Sequence, residues 1–176
     1  MADLINLTTN SPAVIARLQD ISRQFADLSP AMRAIGEVLS ESTKQRFTDS
    51  TGPDGGRWAP NAQATVLGVL GRISGAYSKK SGKISAKGVR AATGKRPLVD
   101  SGLLQDTIAY QLTGDGKGVE IGTNRFAGEW AGGAAVHQFG SRDGKIPARP
   151  FLGLSADDER QVLAILDHFA GQAIGE

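Results

Sequence analysis

A histidine with an acid and a hydroxyl at hand can act as a general base, and His137 is the residue to test for that role. Asp100 and Ser101, or Asp143, are the partners that a base–nucleophile arrangement would need. No nucleophile elbow accompanies them. His137 is therefore read as a structural histidine whose ring bonds a backbone carbonyl and fixes its loop. His168 cannot join it at helical spacing, and there is no HExxH motif and no cysteine, so no metal centre is expected. A phosphate loop fails on count: five residues, not four, separate Gly88 from Gly94-Lys95, and Arg96 stands where Ser or Thr must hold magnesium. Gly140 and Gly144-Lys145 are misspaced in the same way. The run GDGKG at 114–118 lacks the acidic ligands of a calcium loop and reads as a hairpin turn. With no convergent set of ionisable residues, an enzyme is the least supported class and no cofactor is expected.

The elements around these residues follow from periodicity and punctuation. Ser11-Pro12 opens a helix carrying Val14, Leu18, Ile21, Phe25 and Leu28 on one face, after a frayed leader over residues 1–10. Ser29-Pro30 starts a second helix to about Phe47, burying Ile35, Val38 or Leu39, and Phe47; DSTGPDGG at 49–56 ends it. A short helix fits residues 62–77, weakened by Gly68, Gly71 and Gly75. Residues 101–106 suit one helical turn. Residues 107–113 alternate as a strand with Ile108, Tyr110 and Leu112 on one side, and 119–123 form the return strand. After a loop containing Trp130, a short helix over 134–139 presents His137. Ser155 caps a last helix with Asp157, Asp158 and Glu159 in its first turn and Val162, Ile165, Leu166 and Phe169 on one face. The sum is a single α+β domain over 1–176: N-terminal helices, a small antiparallel β-sheet with its hairpin, a C-terminal helix and a long Gly-rich basic loop.

Composition sharpens this. The 176 residues are 40% hydrophobic with 23 glycines, which predicts long loops around a modest core. No run of 18 apolar residues occurs, and MADLINLTTN lacks a basic start and an apolar stretch, so a soluble chain without membrane contact or signal peptide is expected. From Gly55 to Val99 there is no acid, while Arg57, Arg72, Lys79, Lys80, Lys83, Lys87, Arg90, Lys95 and Arg96 supply nine cations. Removing those nine from 20 leaves 11 cations against 18 acids, a balance of −7 elsewhere. The chain reads as an acidic body with an extended basic arm over 61–97. That arm is either a solvated loop or an electrostatic contact with DNA phosphates or an acidic neighbour. Tyr77 is its one aromatic, so base stacking has no platform and any DNA contact would be to phosphates alone.

Five blocks then carry a resemblance: RFTDSTGPDGGRWAP at 46–60, LVDSGLL at 98–104, VEIGTN at 119–124, HQFG at 137–140 and IPARPFLGLS at 146–155. In that order and spacing they resemble the phage virion morphogenesis, or tail-completion, family of Mu-like phages. The basic stretch over 61–97 is longer than those blocks require. The resemblance implies a structural neck protein that completes the tail and joins it to the DNA-filled head. It further implies residence in the virion, after assembly in the host cytoplasm. Partners would be itself in a ring, most simply sixfold to match the tail tube, with other neck, connector and tail-tube proteins and with channel DNA. A non-specific nucleic-acid-binding module built on the arm is the alternative. Candidate neighbour contacts are Arg57, Trp58, Arg149 and the His137, Gln138 and Phe139 loop. Trp58 fits a core cap as well as an interface anchor. The prolines beside Arg149 hold its segment stiff, with Phe151 and Leu152 read as core and Arg149 reaching across an interface or to an internal carboxylate.

Overall fold

The computed structural model describes residues 27–123 and 133–174, with Ala16, Gln19 and Phe25. The leader over 1–10, most of the helix expected over 11–28 and the loop around Trp130 lie outside the described residues; Ala16, Gln19 and Phe25 are themselves helical. The elements in order are α1 (Ser29–Asp49), α2 (Gln63–Arg72), α3 (Ala86–Gly94), α4 (Leu103–Asp106), β1 (Ile108–Leu112), β2 (Val119–Thr123), α5 (Gly133–Phe139) and α6 (Ala156–Ile174). The class is α+β, as the sequence predicts.

Helix α1 organises the body. Pro30 sits in its first turn, where a missing N–H costs nothing, and Asp27 Oδ1 accepts the Ser29 N–H at 2.9 Å. It stops at Ser50, whose left-handed φ of 55° turns its N–H back onto the Arg46 carbonyl. Between these ends Ala31, Ile35, Thr43 and Phe47 form a buried stripe. Val38 and Leu39 are only half-buried. Gly36 lies under the Tyr110 ring, so close that a Cβ would fall 2.3 Å from a ring carbon. Through this stripe α1 packs on both strands and on α6.

The expected hairpin forms. β1 and β2 pair antiparallel from Ile108↔Thr123 to Leu112↔Val119. Thr113 N–H donates to the Gly118 carbonyl at 2.9 Å, with Gly116 at positive φ in the turn. Two strands alone are marginal in water, and α1 supplies their second layer. At the centre Phe47 meets Trp58 edge-on and Phe151 at a tilt, each with ring centroids 5.4 Å apart. Ile108 completes that cluster, with Leu98, Leu104, Ile121 and Leu152 around it. In α6 the Ser155 hydroxyl caps the helix by accepting the Asp158 N–H at 3.1 Å. Val162, Ile165 and Phe169 are half-buried while Leu166 is exposed, so its apolar face is narrower than the spacing predicts. Phe25 meets Phe169 edge-on at 6.3 Å.

The basic segment departs from expectation. An extended arm over 61–97 is not what folds there: α2 and α3 pack on each other as a small lobe. Ser85 caps α3, its Oγ accepting the Gly88 N–H at 3.1 Å and donating to the Gly75 carbonyl at 2.6 Å. Leu70 and Ala76 are buried inside the lobe. Gly88 allows the close approach, since a Cβ there would lie 2.3 Å from the Ala76 carbonyl oxygen. A serine cap and one small residue at the crossing outweigh a composition that reads as linker. Gly88→Ala is accordingly expected to destabilise the lobe by about 1–3 kcal/mol, as overpacking against backbone does. Hydrogen exchange should quicken over 76–94 and stay unchanged in α1 and the hairpin; uniform exchange in wild type and variant would refute the close packing.

Candidate interaction site

Several residues singled out as neighbour contacts have interior roles. Trp58 is 6% exposed and its indole N–H donates to the Pro150 carbonyl at 2.8 Å. Of its two readings, the core cap is the one observed. Arg149 is also 6% exposed; its Nε and Nη2 donate to the Ala59 and Pro60 carbonyls, each at 2.8 Å. Within the chain it reaches two backbone carbonyls, not the internal carboxylate that was one expectation, and so locks the chain after Trp58. Gln138 acts as a double clamp. Its Oε1 accepts the Phe151 and Leu152 N–H groups at 3.0 Å, and its Nε2 donates to the Leu152 carbonyl at 2.9 Å. Arg57 and Phe139 remain on the surface, Phe139 at 78% exposure.

The clamp that sequence reasoning misses is Arg46. Its Nη1 donates to the Phe151 and Gly153 carbonyls, both at 2.8 Å, and its Nη2 pairs with Asp158 Oδ2 at 2.5 Å. Asp158, 1% exposed, also accepts the Ser155 N–H and hydroxyl. Burial pushes the Asp158 carboxyl up, but hydrogen bonds from Ser42 and Ser155 and the charge of Arg46 outweigh it and hold it below its usual value. The one signal available in sequence was position: Arg46 falls on the buried stripe of α1, three residues after Thr43.

His137 corrects another expectation. Its main-chain carbonyl accepts the Arg149 N–H at 2.7 Å, while its ring Nδ1 has no partner among the described residues. Burial first, and then the charge of Arg149, lower its pKa and favour the neutral ring. The carboxylates that a catalytic reading needs are engaged elsewhere. Asp100 pairs with Lys95 at 2.5 Å, and Asp143 accepts from the Ser141 hydroxyl at 2.7 Å and the Lys145 N–H at 3.2 Å. The ring lines a cleft of about 580 Å³ between α2 and α5, walled by Val69, Leu98, Val136 and Ile146. No group of three or more potential metal ligands occurs among the described residues.

The cations of the lobe divide into two sets. At the neck, Arg72 and Lys95 face Asp100, Arg96 donates to the Thr48 carbonyl at 3.3 Å, and Asn61 closes onto the Lys95 carbonyl at 2.9 Å. Lys87 and Arg90 bond backbone carbonyls within the lobe. The tip differs. Tyr77 and Ile84 form an antiparallel bridge, Ser78 N–H donates to the Lys83 carbonyl at 2.8 Å, and Gly82 N–H to the Ser78 carbonyl at 2.9 Å. Lys79, Lys80 and Lys83 crown this turn, exposed, with no ion-pair partner among the described residues. Tyr77 and Ile84 are 43% and 47% exposed beside them.

The sequence pattern of the phage virion morphogenesis family matches residues 10–169. The chain belongs to that family. It is similar to "Mu-like prophage FluMu G protein 2" of Haemophilus influenzae, with 27% identity over 166 residues and 91% of each chain covered. No solved structure matches it. In this virion morphogenesis protein the five sequence blocks converge on one place. Arg46, Phe47 and Trp58 come from the first, Leu98 and Leu104 from the second, Ile121 from the third, Gln138 from the fourth, Arg149 and Phe151 from the fifth. The blocks therefore encode the core and its clamps. The tip of the lobe lies outside all of them.

Proposed function

We propose that this chain is a non-catalytic ring subunit of the phage neck that completes the tail and joins it to the DNA-filled head. Membership of the virion morphogenesis family supports a role in building the particle. The observation that carries the finer reading is the lobe: a folded, acid-free projection whose tip lysines have no acidic partner among the described residues, standing on a body of opposite charge. Such a projection suits a joint, where an oppositely charged surface completes it. Sixfold order would match a tail tube, and connector, tail-tube and other neck proteins would flank the ring. Particles lacking this chain should accumulate as separate filled heads and tails. Location of the chain by electron cryo-microscopy anywhere but the head–tail joint would overturn the reading.

Replacing Lys79, Lys80, Lys83 and Lys87 by Gln should leave thermal stability within about 0.5 kcal/mol of wild type, because these side chains are exposed. Head–tail joining should nevertheless weaken, and the deficit relative to wild type should shrink as added salt screens the wild-type contact. Normal yields of infectious particles across a salt series would reduce the lobe to a solvated decoration. The same unpaired lysines also fit DNA phosphates. Salt-dependent DNA binding by the isolated folded chain, lost in the quadruple variant, would favour that second reading.

A further inference from the structure

The body carries a surface with the complementary requirement to the lobe tip. Between α1 and β1 runs a groove of about 470 Å³, floored by Ile108, Ala109 and Tyr110, with Glu37, Glu41 and Lys44 along its α1 side. Glu37 and Glu41 thus face the one ammonium of Lys44 among the residues lining this groove.

We infer that the lysine-crowned tip of one copy docks in the α1–β1 groove of a second copy, its ammonium groups meeting Glu37 and Glu41. Tyr77 and Ile84, half-exposed at the base of the tip, then cover the apolar strip along Ala109 and Tyr110. The tip arrives preorganised by its bridge and two turn hydrogen bonds, so little ordering opposes docking. One occupant resolves both unmet demands. DNA would match the lysines but leave the groove carboxylates unmet, whereas a second copy brings both halves, nine cations against a body balance of −7. Tip and groove are different patches of one chain, so the contact is heterologous. Each copy gives a tip and receives one, which closes a ring if the rotation allows. This pairing rests on the ring reading above and supplies its interface.

The chain has no cysteine, which makes a direct test clean. Phage particles assembled with a chain carrying both Lys80→Cys and Glu41→Cys should, on mild oxidation, yield a ladder of disulfide-linked multimers of this protein. Either single variant should yield no ladder. In parallel, K79E/K80E/K83E or E37K/E41K alone should lower incorporation into particles about tenfold, as like charges oppose each other, and the combined reversal in one chain should restore it. No ladder from the double-cysteine particles, while glutaraldehyde still links copies of this chain, would reject the pairing and leave the ring standing. If neither treatment links copies, both the pairing and the ring fall. Disulfides formed instead with a different virion protein would also reject it.

Discussion

Asp158→Asn is expected to destabilise the body by about 3–5 kcal/mol, the cost of leaving one member of a buried pair without its counter-charge. Arg46 would keep the Phe151 and Gly153 carbonyls but lose its carboxylate partner, in a site where the Arg46 and Asp158 side chains are 7% and 1% exposed. At roughly 2–4 °C per kcal/mol for a chain of this size, the melting temperature should fall by about 10 °C. Arg46→Met combined with Asp158→Asn should lose less than the sum of the two single changes, because neither charge is then stranded. Additive losses in that cycle, or a single loss below about 1 kcal/mol, would show that the pair is not coupled.

The same carboxylate sets an acid limit. Its folded pKa lies below the unfolded one, despite the opposing effect of burial. The stabilisation is therefore complete above the unfolded value, near pH 4, and fades as pH falls through the folded one. Wild type should lose stability more steeply than Asp158→Asn as pH drops from 5 to 3. Parallel curves would contradict the depressed pKa.

Phe151→Ala is the second change expected to act strongly, at about 3–5 kcal/mol. Phe151 is fully buried and its ring packs against Phe47. Collapse around the hole is resisted because Gln138 holds its N–H and Arg46 its carbonyl. Phe151→Leu should recover a large part of the loss. Urea melts of both variants, compared at the midpoint, measure this; equal stability of the two would mean that refilling the hole with apolar volume recovers nothing.

Much of this architecture is legible in the chain because its signals are local. The GDGKG turn fixes the hairpin register, Ser29-Pro30 sets the start of α1, and Ser155 caps α6. The clamps are not local. Arg46 and Asp158 are 112 residues apart, and each lies in an amphipathic helix where a charge is expected to face water. Arg149 finds backbone carbonyls 90 and 89 residues away, a pairing that leaves no trace in side-chain chemistry. The lobe is hidden differently. Its Ser85 cap is plain in hindsight, but the surrounding Lys, Gly, Ser and Ala have the composition of a linker, and contact with α2 decides the outcome. His137 shows a further limit: sequence can name the residue, yet only geometry reveals that its main chain, not its ring, does the holding.

The reach of Arg46 also dictates a timetable. During synthesis the helix that bears it is made early, yet its three acceptors lie 105, 107 and 112 residues later. Until residue 151 has left the ribosome, that guanidinium has none of them and the aromatic centre lacks Phe151; the carboxylate of residue 158 comes last. The loop to be closed is long, so the clamp belongs to the late, entropy-limited part of folding. A nascent chain stalled before this point has its lobe and hairpin sequences in hand but no closed body. Any contact that needs the closed body must therefore wait for residues 151–158.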